Sequence, residues 1–346
     1  MEKEYDSFGV LICRFGPFMK RPAGGDDVEQ VEFAAVRRRA FDAITQEALG
    51  FCADIVLSFF AANAGLLGLY IARHLKIPHV VGIRGNDVGL NMFSLPWLPV
   101  LQMIFRGSAA IVSVNRHLRD RLALGFPDEA QRTTVINNGV TIKELSHHAK
   151  RVSYLPNNTN WKGSYVIATF IGLPREKKGI ASLLKALSTA CIQHPIRLLV
   201  VGPPLSSHDR AHVGALWDKL VANGYLHCTG HLNRATALQI ASEGDLVVMP
   251  SLDDGLPNGL LEGMALGLCP VVSDIFEDVV RANEHGWVFP RNDHVELKRA
   301  LTMAVTKPHL RRRYATAAKR LVSENYSPIS EATSYVKIFE RVLAAR

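Results

Sequence analysis

The sequence predicts an α/β protein in which two doubly wound parallel-sheet domains face each other across a cleft. The chain has 346 residues, more than the roughly 100–200 residues typical of one domain. Short apolar runs alternate with helix-length segments along most of the chain, as in parallel sheets covered by helices. A polar stretch without clear periodicity, residues 146–162, separates two such series and indicates a linker. We therefore expect an N-terminal domain at residues 1–150 and a C-terminal domain at residues 163–326.

The first domain is expected to contain about six strands that alternate with helices. Residues 8–13 are expected to form its first strand and residues 28–48 its first helix. Further strands are expected at the apolar runs 53–60, 78–83, 109–114 and 135–136. Further helices are expected at residues 63–75 and 115–124.

A polar turn, Arg84-Gly85-Asn86-Asp87, follows the strand expected at residues 78–83. Ligand contacts accumulate in such turns at the carboxyl ends of buried parallel strands. Arg84 and Asp87 are therefore candidate catalytic residues. For Asp87 the alternative is a cap on the segment that follows.

The most apolar helical stretch, residues 92–105, is interrupted by Pro96 and Pro99. It could lie on a membrane surface, contact a lipid acceptor or form a core helix that starts near Pro99. We favour the core helix, because the stretch lacks the strongly cationic face of an interfacial helix.

The second domain shows the same alternation of strands and helices. Its strands are expected at residues 165–171, 197–202, 226–229, 246–249, 270–273 and 286–289. Its helices are expected at residues 180–194, 234–243, 258–266, 293–305, 308–324 and 329–345. Two such sheets create an interdomain cleft, which is the expected ligand site.

One stretch of the second domain carries two carboxylates beside a helix start. After the strand at residues 246–249, a polar loop leads into a helix that Asn258 is expected to cap and Gly267 to end. The free N–H groups of such a helix N-terminus favour anions. Asp254 can face the ligand from the loop, and Glu262 can accept two hydrogen bonds from a vicinal diol such as a ribose. This stretch suits a ligand that carries phosphate and sugar hydroxyls together.

A glycine-flanked basic turn, residues 172–179, joins a strand to a helix in the same domain. Its backbone donors and its cations, Lys177 and Lys178 among them, suit a phosphate group. The turn is not a P-loop, because the sequence contains no G-x-x-x-x-G-K-[ST] pattern. The alternative is that both lysines belong to a solvated helix start.

The net charge of +8 and the isoelectric point of about 9.3 favour anionic partners. Basic residues cluster at residues 37–39 and 311–313, but no aromatic interleaving or nucleic-acid module accompanies them. We therefore predict no nucleic-acid partner.

The five cysteines are scattered without a C-x-x-C pair, which indicates reduced thiols. His147 and His148 occupy adjacent positions and have no cysteine nearby, so no metal site is predicted. No signal peptide is visible, and no apolar run approaches the ~20 residues that span a bilayer. We expect a cytoplasmic protein, and its basic charge leaves peripheral contact with the inner face of the membrane open.

Four segments of the second domain carry a recognisable pattern: F-I-G-L-P-R-E-K-K-G (170–179), L-L-V-V-G (198–202), C-T-G-H-L (228–232) and D-L-V-V-M-P-S-L-D-D-G-L-P-N-G-L-L-E-G-M-A-L-G-L-C-P-V-V (245–272). Three shorter segments of the first domain belong to the same pattern: K-I-P-H-V-V, R-G-N-D and N-N-G-V. Together these segments resemble the retaining GT-B glycosyltransferases of group one, family four.

The resemblance implies a nucleotide-sugar donor held by the second of two Rossmann-like domains and an acceptor held by the first. It implies transfer with retention of configuration, no cofactor and no essential metal, and a final helix, 327–346, that packs back on the first domain. Glu262 matches the acid that holds the donor ribose, Asp254 the acid that touches the donor sugar, and Lys178 the lysine that binds the diphosphate. The other donor-site residues that it implies are Gly172, His231, Gly255, Leu256, Pro257 and Asn258.

The sequence departs from the family pattern at several of these positions. Asp254 is one methylene shorter than the usual glutamate, and Arg84 stands where many members keep a histidine. Leu173 stands where an arginine is usual, and Arg175 is the candidate replacement from two residues on. The opening strand and the Gly-Gly acceptor loop are missing or rewritten, and Gly24-Gly25 cannot be placed there.

Two functions of different kinds remain at this stage. The leading hypothesis is a glycosyltransferase that acts on a glycan, a glycolipid or a small-molecule acceptor. The alternative is a degenerate, non-catalytic member that binds a nucleotide sugar or a partner protein, which the departures motivate. Other chemistry on the same fold, such as epimerisation or phosphorolysis, is not favoured by the D-x7-E loop.

Overall fold

A computed structural model describes the backbone of residues 2–5, 11–14, 27–141, 161 and 163–345, with side chains from residue 35 onward except that of residue 63. Apart from residue 161, the predicted linker lies outside the described residues, and so do His147-His148 and Gly24-Gly25.

The first two strands form a hairpin of their own. β1 (Glu2–Tyr5) and β2 (Leu11–Arg14) pair antiparallel, with Glu2 opposite Arg14. The predicted strand at residues 8–13 therefore does not open the parallel sheet, and that part of the prediction is wrong. The connection between the two strands is short, whereas parallel neighbours need a crossover of a dozen or more residues.

The N-terminal sheet contains four parallel strands among the described residues. They are β3 (Val56–Phe59), β4 (His79–Ile83), β5 (Ala110–Ser113) and β6 (Thr133–Val135), and they lie in that order. The helices around them are α1 (Asp27–Gly50), α2 (Leu66–Leu75), α3 (Asn86–Gly89), α4 (Leu98–Gly107), α5 (Arg116–Leu122) and α6 (Pro127–Gln131). The predicted alternation is confirmed, although about six strands was too many for this sheet.

The apolar stretch at residues 92–105 divides into two parts. Its second part lies in α4, where Leu101, Ile104 and Phe105 are fully buried, so the predicted core helix is confirmed. Its first part exposes Phe93 and Leu95 to solvent. The proline that opens α4 explains the division, because a proline is favoured in the first helical turn and not within a helix.

The C-terminal sheet is wholly parallel and has six strands. They are β7 (Val166–Ile171), β8 (Ile196–Val201), β9 (Leu226–Cys228), β10 (Leu246–Met249), β11 (Cys269–Ser273) and β12 (Trp287–Phe289). Their order in the sheet is β12-β11-β10-β7-β8-β9, so the order reverses between β7 and β10. Loops at the carboxyl ends of two strands beside such a switch point form a crevice for ligands.

The helices of this half cover both faces of the sheet. They are α7 (Ile180–Gln193), α8 (Ser207–Ala222), α9 (Arg234–Ala241), α10 (Asn258–Leu266), α11 (His294–Thr306) and α12 (Pro308–Asn325). The last helix of the chain is α13 (Pro328–Ala344). α8 was not predicted, because its sequence is polar and has few apolar positions. Its start carries a signal that was overlooked, since the Ser206 side chain accepts a hydrogen bond from the Asp209 amide at 3.1 Å.

The last helix, α13, packs against the N-terminal sheet. Tyr335, Ile338 and Val342 share a buried cluster with Val80 of β4 and Val112 of β5. The chain therefore returns to its first half after completing the second. No helix in the described part of the chain is long and apolar enough to cross a membrane.

Candidate active site

A cavity of about 500 Å³ lies where loops from the carboxyl ends of both sheets meet. Its walls come from the ends of β3 and β4 on one side and from the ends of β7 and β10 with the start of α10 on the other. The lining residues include Phe59, Phe60, Arg84, Asn138, Gly172, Lys178, Asp254, Leu256, Pro257, Asn258 and Glu262. Most of the predicted site residues therefore converge on one cavity.

A larger cavity of about 830 Å³ lies beside α12, but it contains none of the predicted site residues. Its charges largely pair with one another. Arg281 lies 3.6 Å from Glu284, and Arg320 lies 2.8 Å from Glu324. We therefore place the functional site at the smaller cavity, where strand ends and a helix start converge.

The basic turn places Lys178 in the cavity. Gly179 follows it with φ +69°, and a Cβ there would lie 1.9 Å from the Pro250 carbonyl oxygen, so only glycine lets the turn lie against the end of β10. The Lys178 Nζ lies 3.8 Å from Asp254 Oδ2. Burial lowers the pKa of Lys178, and the neighbouring Asp254 opposes that shift.

Asp254 holds one oxygen ready for a ligand. Its Oδ1 accepts a hydrogen bond from the Gly255 amide at 2.9 Å. Its Oδ2 is buried and has no hydrogen-bond partner among the described residues. The Lys178 ammonium, 3.8 Å from it, is beyond hydrogen-bond distance. Buried polar atoms nearly always have a hydrogen-bond partner, so this oxygen marks a contact that a ligand would complete.

Glu262 lies one turn into α10 and is nearly buried, with a relative exposure of 9%. The next residue, Gly263, lets α10 lie on β10, because a Cβ there would be 2.6 Å from the Cβ of Val247. Glu262 Oε1 accepts a hydrogen bond from Arg234 Nε at 3.1 Å, and Arg234 Nη2 lies 3.0 Å from the same oxygen. Arg234 also donates to the Thr141 carbonyl of the first half at 3.0 Å.

Arg234 is a site residue that the sequence analysis missed. It was seen only as the start of a helix, 28 positions from Glu262, and no motif connects the two. The contact arises because α9 and α10 are neighbours in the fold, which the spacing along the chain does not reveal.

The start of α10 differs from the prediction. Asn258 is the first helical residue, and the cap position is Pro257, whose side chain accepts no hydrogen bond. Asn258 Oδ1 instead accepts from Asn138 Nδ2 of the first half at 3.0 Å. Proline is common beside helix starts because its ring fixes φ, and it leaves the first amides of α10 without a side-chain cap. Such uncapped amides suit an anionic ligand.

Arg84 projects into the cavity from the end of β4, and its guanidinium lies 4.0 Å above the Phe59 ring. Its Nη1 donates to Asn138 Oδ1, and its Nη2 lies 3.9 Å from Glu331 of α13. Beside it, Phe60 lines the cavity with φ +71°, a strained value for a residue with a side chain. Strain of this kind is concentrated at functional sites.

Asp87 does not line the cavity. It is 1% exposed, and its carboxylate accepts hydrogen bonds from the Arg84 amide at 3.0 Å and the Ala62 amide at 3.2 Å. Burial raises the pKa of Asp87. Asp87 therefore connects the turns after β3 and β4. No side chain caps α3, the segment that follows, so the capping alternative is not found.

Three further predicted residues do not contribute to the cavity lining. Gly255 lies next to it, where its amide donates to Asp254 Oδ1 at 2.9 Å. Arg175 and His231 are both exposed and do not contribute to the cavity lining. Gly172, by contrast, lines it with φ +123° beside Lys178.

In the described part of the chain, no three His, Cys, Asp or Glu side chains form a group that could hold a metal ion.

The two halves also touch at the rim of the cavity. Arg121 of α5 pairs with Asp253 at 2.5 Å, and Lys177 donates to Asn86 Oδ1 at 3.1 Å. These features define the class as a two-domain α/β protein whose cleft places an anion site beside two carboxylates.

Comparison with known proteins identifies the family. Residues 155–321 match the family model described as "Glycosyl transferases group 1", and residues 29–144 match the model described as "Glycosyltransferase Family 4". The chain belongs to the group 1, family 4 glycosyltransferases, which have the GT-B fold.

Individual relatives are distant. An uncharacterized glycosyltransferase of Methanocaldococcus jannaschii is 23% identical over 257 residues, which cover 70% of this chain and 61% of that protein. The putative teichuronic acid biosynthesis glycosyltransferase TuaC of Bacillus subtilis is 20% identical, with 86% of this chain and 71% of that protein covered. The crystal structure of Anabaena HepE in complex with UDP and glucose superposes with a TM-score of 0.75 at 16% identity, over 94% of this chain and 84% of that one.

Proposed function

We propose that this protein transfers a sugar from a nucleoside-diphosphate donor to a glycan, glycolipid or small-molecule acceptor, with retention of configuration and without a cofactor or metal ion. The observation that carries the proposal is the convergence of Lys178, Asp254 and Glu262 at the uncapped start of α10. One oxygen of Asp254 is buried there without a hydrogen-bond partner.

Each group has a role that its chemistry suits. Lys178 and the first amides of α10 bind the diphosphate, whose negative charge grows as it leaves. Charges fixed in place favour this charge most in the transition state, which is the condition for catalysis. Glu262 Oε1 is held by Arg234, and Glu262 Oε2 accepts hydrogen bonds from the ribose hydroxyls. Asp254 Oδ2 accepts a hydrogen bond from a hydroxyl of the donor sugar.

The first half is proposed to bind the acceptor. Phe59 and Phe60 line the cavity opposite the donor groups and offer apolar surface to a sugar ring. TuaC is named for teichuronic acid biosynthesis, and HepE was crystallised with UDP and glucose. These relatives support a uridine or similar nucleotide donor and a saccharide acceptor.

We also propose a cytoplasmic location with peripheral contact at the inner face of the membrane. The cysteines whose side chains are described, Cys52, Cys191, Cys228 and Cys269, are free thiols, as expected in a reducing compartment. Leu90, Phe93, Leu95 and Leu98 expose apolar surface just beyond α3, on the acceptor half. Sedimentation with lipid vesicles checks this contact: the protein should sediment, and the Phe93→Ser/Leu95→Ser variant should stay in solution. Equal sedimentation of both would refute it.

One experiment separates an enzyme from a non-catalytic binder. The purified protein is mixed with a panel of nucleotide sugars, with and without candidate saccharide acceptors, and its thermal shift and the release of free nucleoside diphosphate are measured. An enzyme shows both a shift and acceptor-dependent release, whereas a binder shows the shift alone. A chelator in the same reactions should leave release unchanged, and lost release would contradict the metal-independent part of the proposal.

A further inference from the structure

Of the described residues that line the cavity, two carry a positive charge, and they come from opposite halves. Lys178 belongs to the second half and Arg84 to the first. A diphosphate carries more than one negative charge, and the Lys178 ammonium already has the Asp254 carboxylate 3.8 Å away. A single lysine therefore leaves much of the charge of a diphosphate uncompensated.

Arg84 is held in place and still has donors to offer. Its guanidinium carbon lies 4.0 Å from the centroid of the Phe59 ring, and one nitrogen donates to Asn138. The Glu331 carboxylate is 3.9 Å away, beyond hydrogen-bond distance, and its other oxygen accepts from the Gly139 amide at 2.7 Å. A guanidinium has five N–H donors in a fixed fork, which matches the oxygens of a phosphate.

Asn138 connects Arg84 to the start of α10. Its Oδ1 accepts from Arg84, and its Nδ2 donates to Asn258 Oδ1 at 3.0 Å and to the Leu256 carbonyl at 3.1 Å. The backbone of Arg84 also lies close to the loop before α10, because a Cβ on Gly255 would lie 2.4 Å from the Arg84 carbonyl oxygen. The guanidinium is thus two hydrogen bonds from the first residue of the helix whose amides favour an anion.

We propose that Arg84 reaches across the cleft to the diphosphate of the donor and completes an anion clamp with Lys178 and the start of α10. Asn138 is the positioning residue that holds the guanidinium over the helix start. The inference rests on the proposed function and names a further residue of the same site. It accounts for the uncharged Leu173 beside Gly172 and for the exposed position of Arg175, because the second cation comes from the other half.

The clamp is tested by measuring the affinity of the full chain for a nucleoside and for the matching nucleoside diphosphate by calorimetry. Arg84→Gln should weaken diphosphate binding about tenfold or more, the range for hydrogen bonds to charged groups, and leave nucleoside binding unchanged. Arg84→Lys should recover part of the loss, because it restores the charge without the fork. Arg38→Gln, an exposed arginine on α1 of the same half, is the control and should change neither affinity.

A double-mutant cycle tests the positioning role. Asn138→Ala should weaken diphosphate binding severalfold in the wild-type background and have no further effect in the Arg84→Gln background. Additive losses would refute the positioning role, and equal losses for nucleoside and diphosphate would refute the clamp. The clamp would also be refuted if Arg84→Gln bound the diphosphate as tightly as the wild type and had the same melting temperature. If the wild type binds no nucleoside diphosphate, the proposed function itself fails, so the two failures are distinct.

Discussion

The two faces of the cleft are assembled in different ways. We call the face proposed to bind the donor the donor face, and the opposite one the acceptor face. The donor face comes from two continuous stretches, residues 172–179 and 246–266, that meet because β7 and β10 are neighbours in the sheet. The acceptor face gathers residues from the ends of β3, β4 and β6, with Glu331 of α13 behind them. A face made of continuous stretches can be recognised from sequence, whereas a face gathered from distant elements becomes visible only in the fold.

The same contrast appears in how tightly each face is fixed. On the donor face, Gly179 and Gly263 bring their segments against β10 at distances that no side chain would allow. On the acceptor face, polar side chains such as Asn138 hold the parts together. The donor face should therefore bind its ligand without the acceptor face, and the acceptor face should modulate that binding.

Glu262→Ala gives the largest expected effect and tests the donor face directly. Loss of the charged hydrogen bonds to the ribose should cost about 1.5–3 kcal/mol, which is roughly a 10- to 150-fold weaker nucleoside affinity. Calorimetric titration measures it, with Glu340→Ala on the surface of α13 as the matched control. Unchanged nucleoside affinity in Glu262→Ala would contradict the ribose assignment and the contrast built on it.

Lys178→Ala sharpens the comparison by separating phosphate from nucleoside. Its ammonium is proposed to contact the diphosphate and not the nucleoside, so affinity for a nucleoside diphosphate should fall about tenfold while nucleoside affinity stays the same. The control is Lys185→Ala, an exposed lysine on the neighbouring α7. Equal losses of affinity for the nucleoside and the nucleoside diphosphate would mean that Lys178 stabilises the fold and does not bind the phosphate.

His79 gives the smallest effect and tests the framework of the acceptor half. It is buried between Ser58 and Ser108, with ring nitrogens 3.0 and 2.9 Å from their hydroxyls. Burial lowers the pKa of His79 to about 4, from 6.5. Between these values the unfolded chain binds a proton that the folded chain does not, so stability falls as the pH is lowered through this window.

The expected loss is about 1 kcal/mol in the free energy of unfolding between pH 7 and pH 5.5. Urea unfolding at both pH values measures it, followed by a signal from the N-terminal half. In His79→Gln the loss should be smaller by about 1 kcal/mol, and a loss equal to that of the wild type would show that other groups cause it.

Much of the donor side could be predicted from the sequence. The strand at residues 246–249 and the helix that Gly267 ends are found as expected, because apolar runs and glycine caps are local signals. The roles assigned to Glu262, Asp254 and Lys178 stay predictions, although all three lie in the cavity.

The remaining features depend on contacts between distant segments. The Arg234–Glu262 pair joins two helices, and the Asn138 contact to α10 joins two domains. Arg175 was expected in the site from its place in the basic turn, but it points to solvent, since a turn of a few residues aims its side chains in different directions. Asp87 is only three residues from Arg84, which lines the cavity, yet its side chain is buried and accepts hydrogen bonds from backbone amides.

Hydrogen exchange with and without a saturating nucleoside diphosphate tests the central claim most directly. The account predicts slower exchange in two places on the donor face, the amides of residues 172–179 and those of residues 255–262, because the ligand accepts hydrogen bonds there. A smaller change is expected around Arg84 and Asn138. Protection confined to the cavity beside α12, or spread evenly over both halves, would contradict the assignment of the donor site to the start of α10.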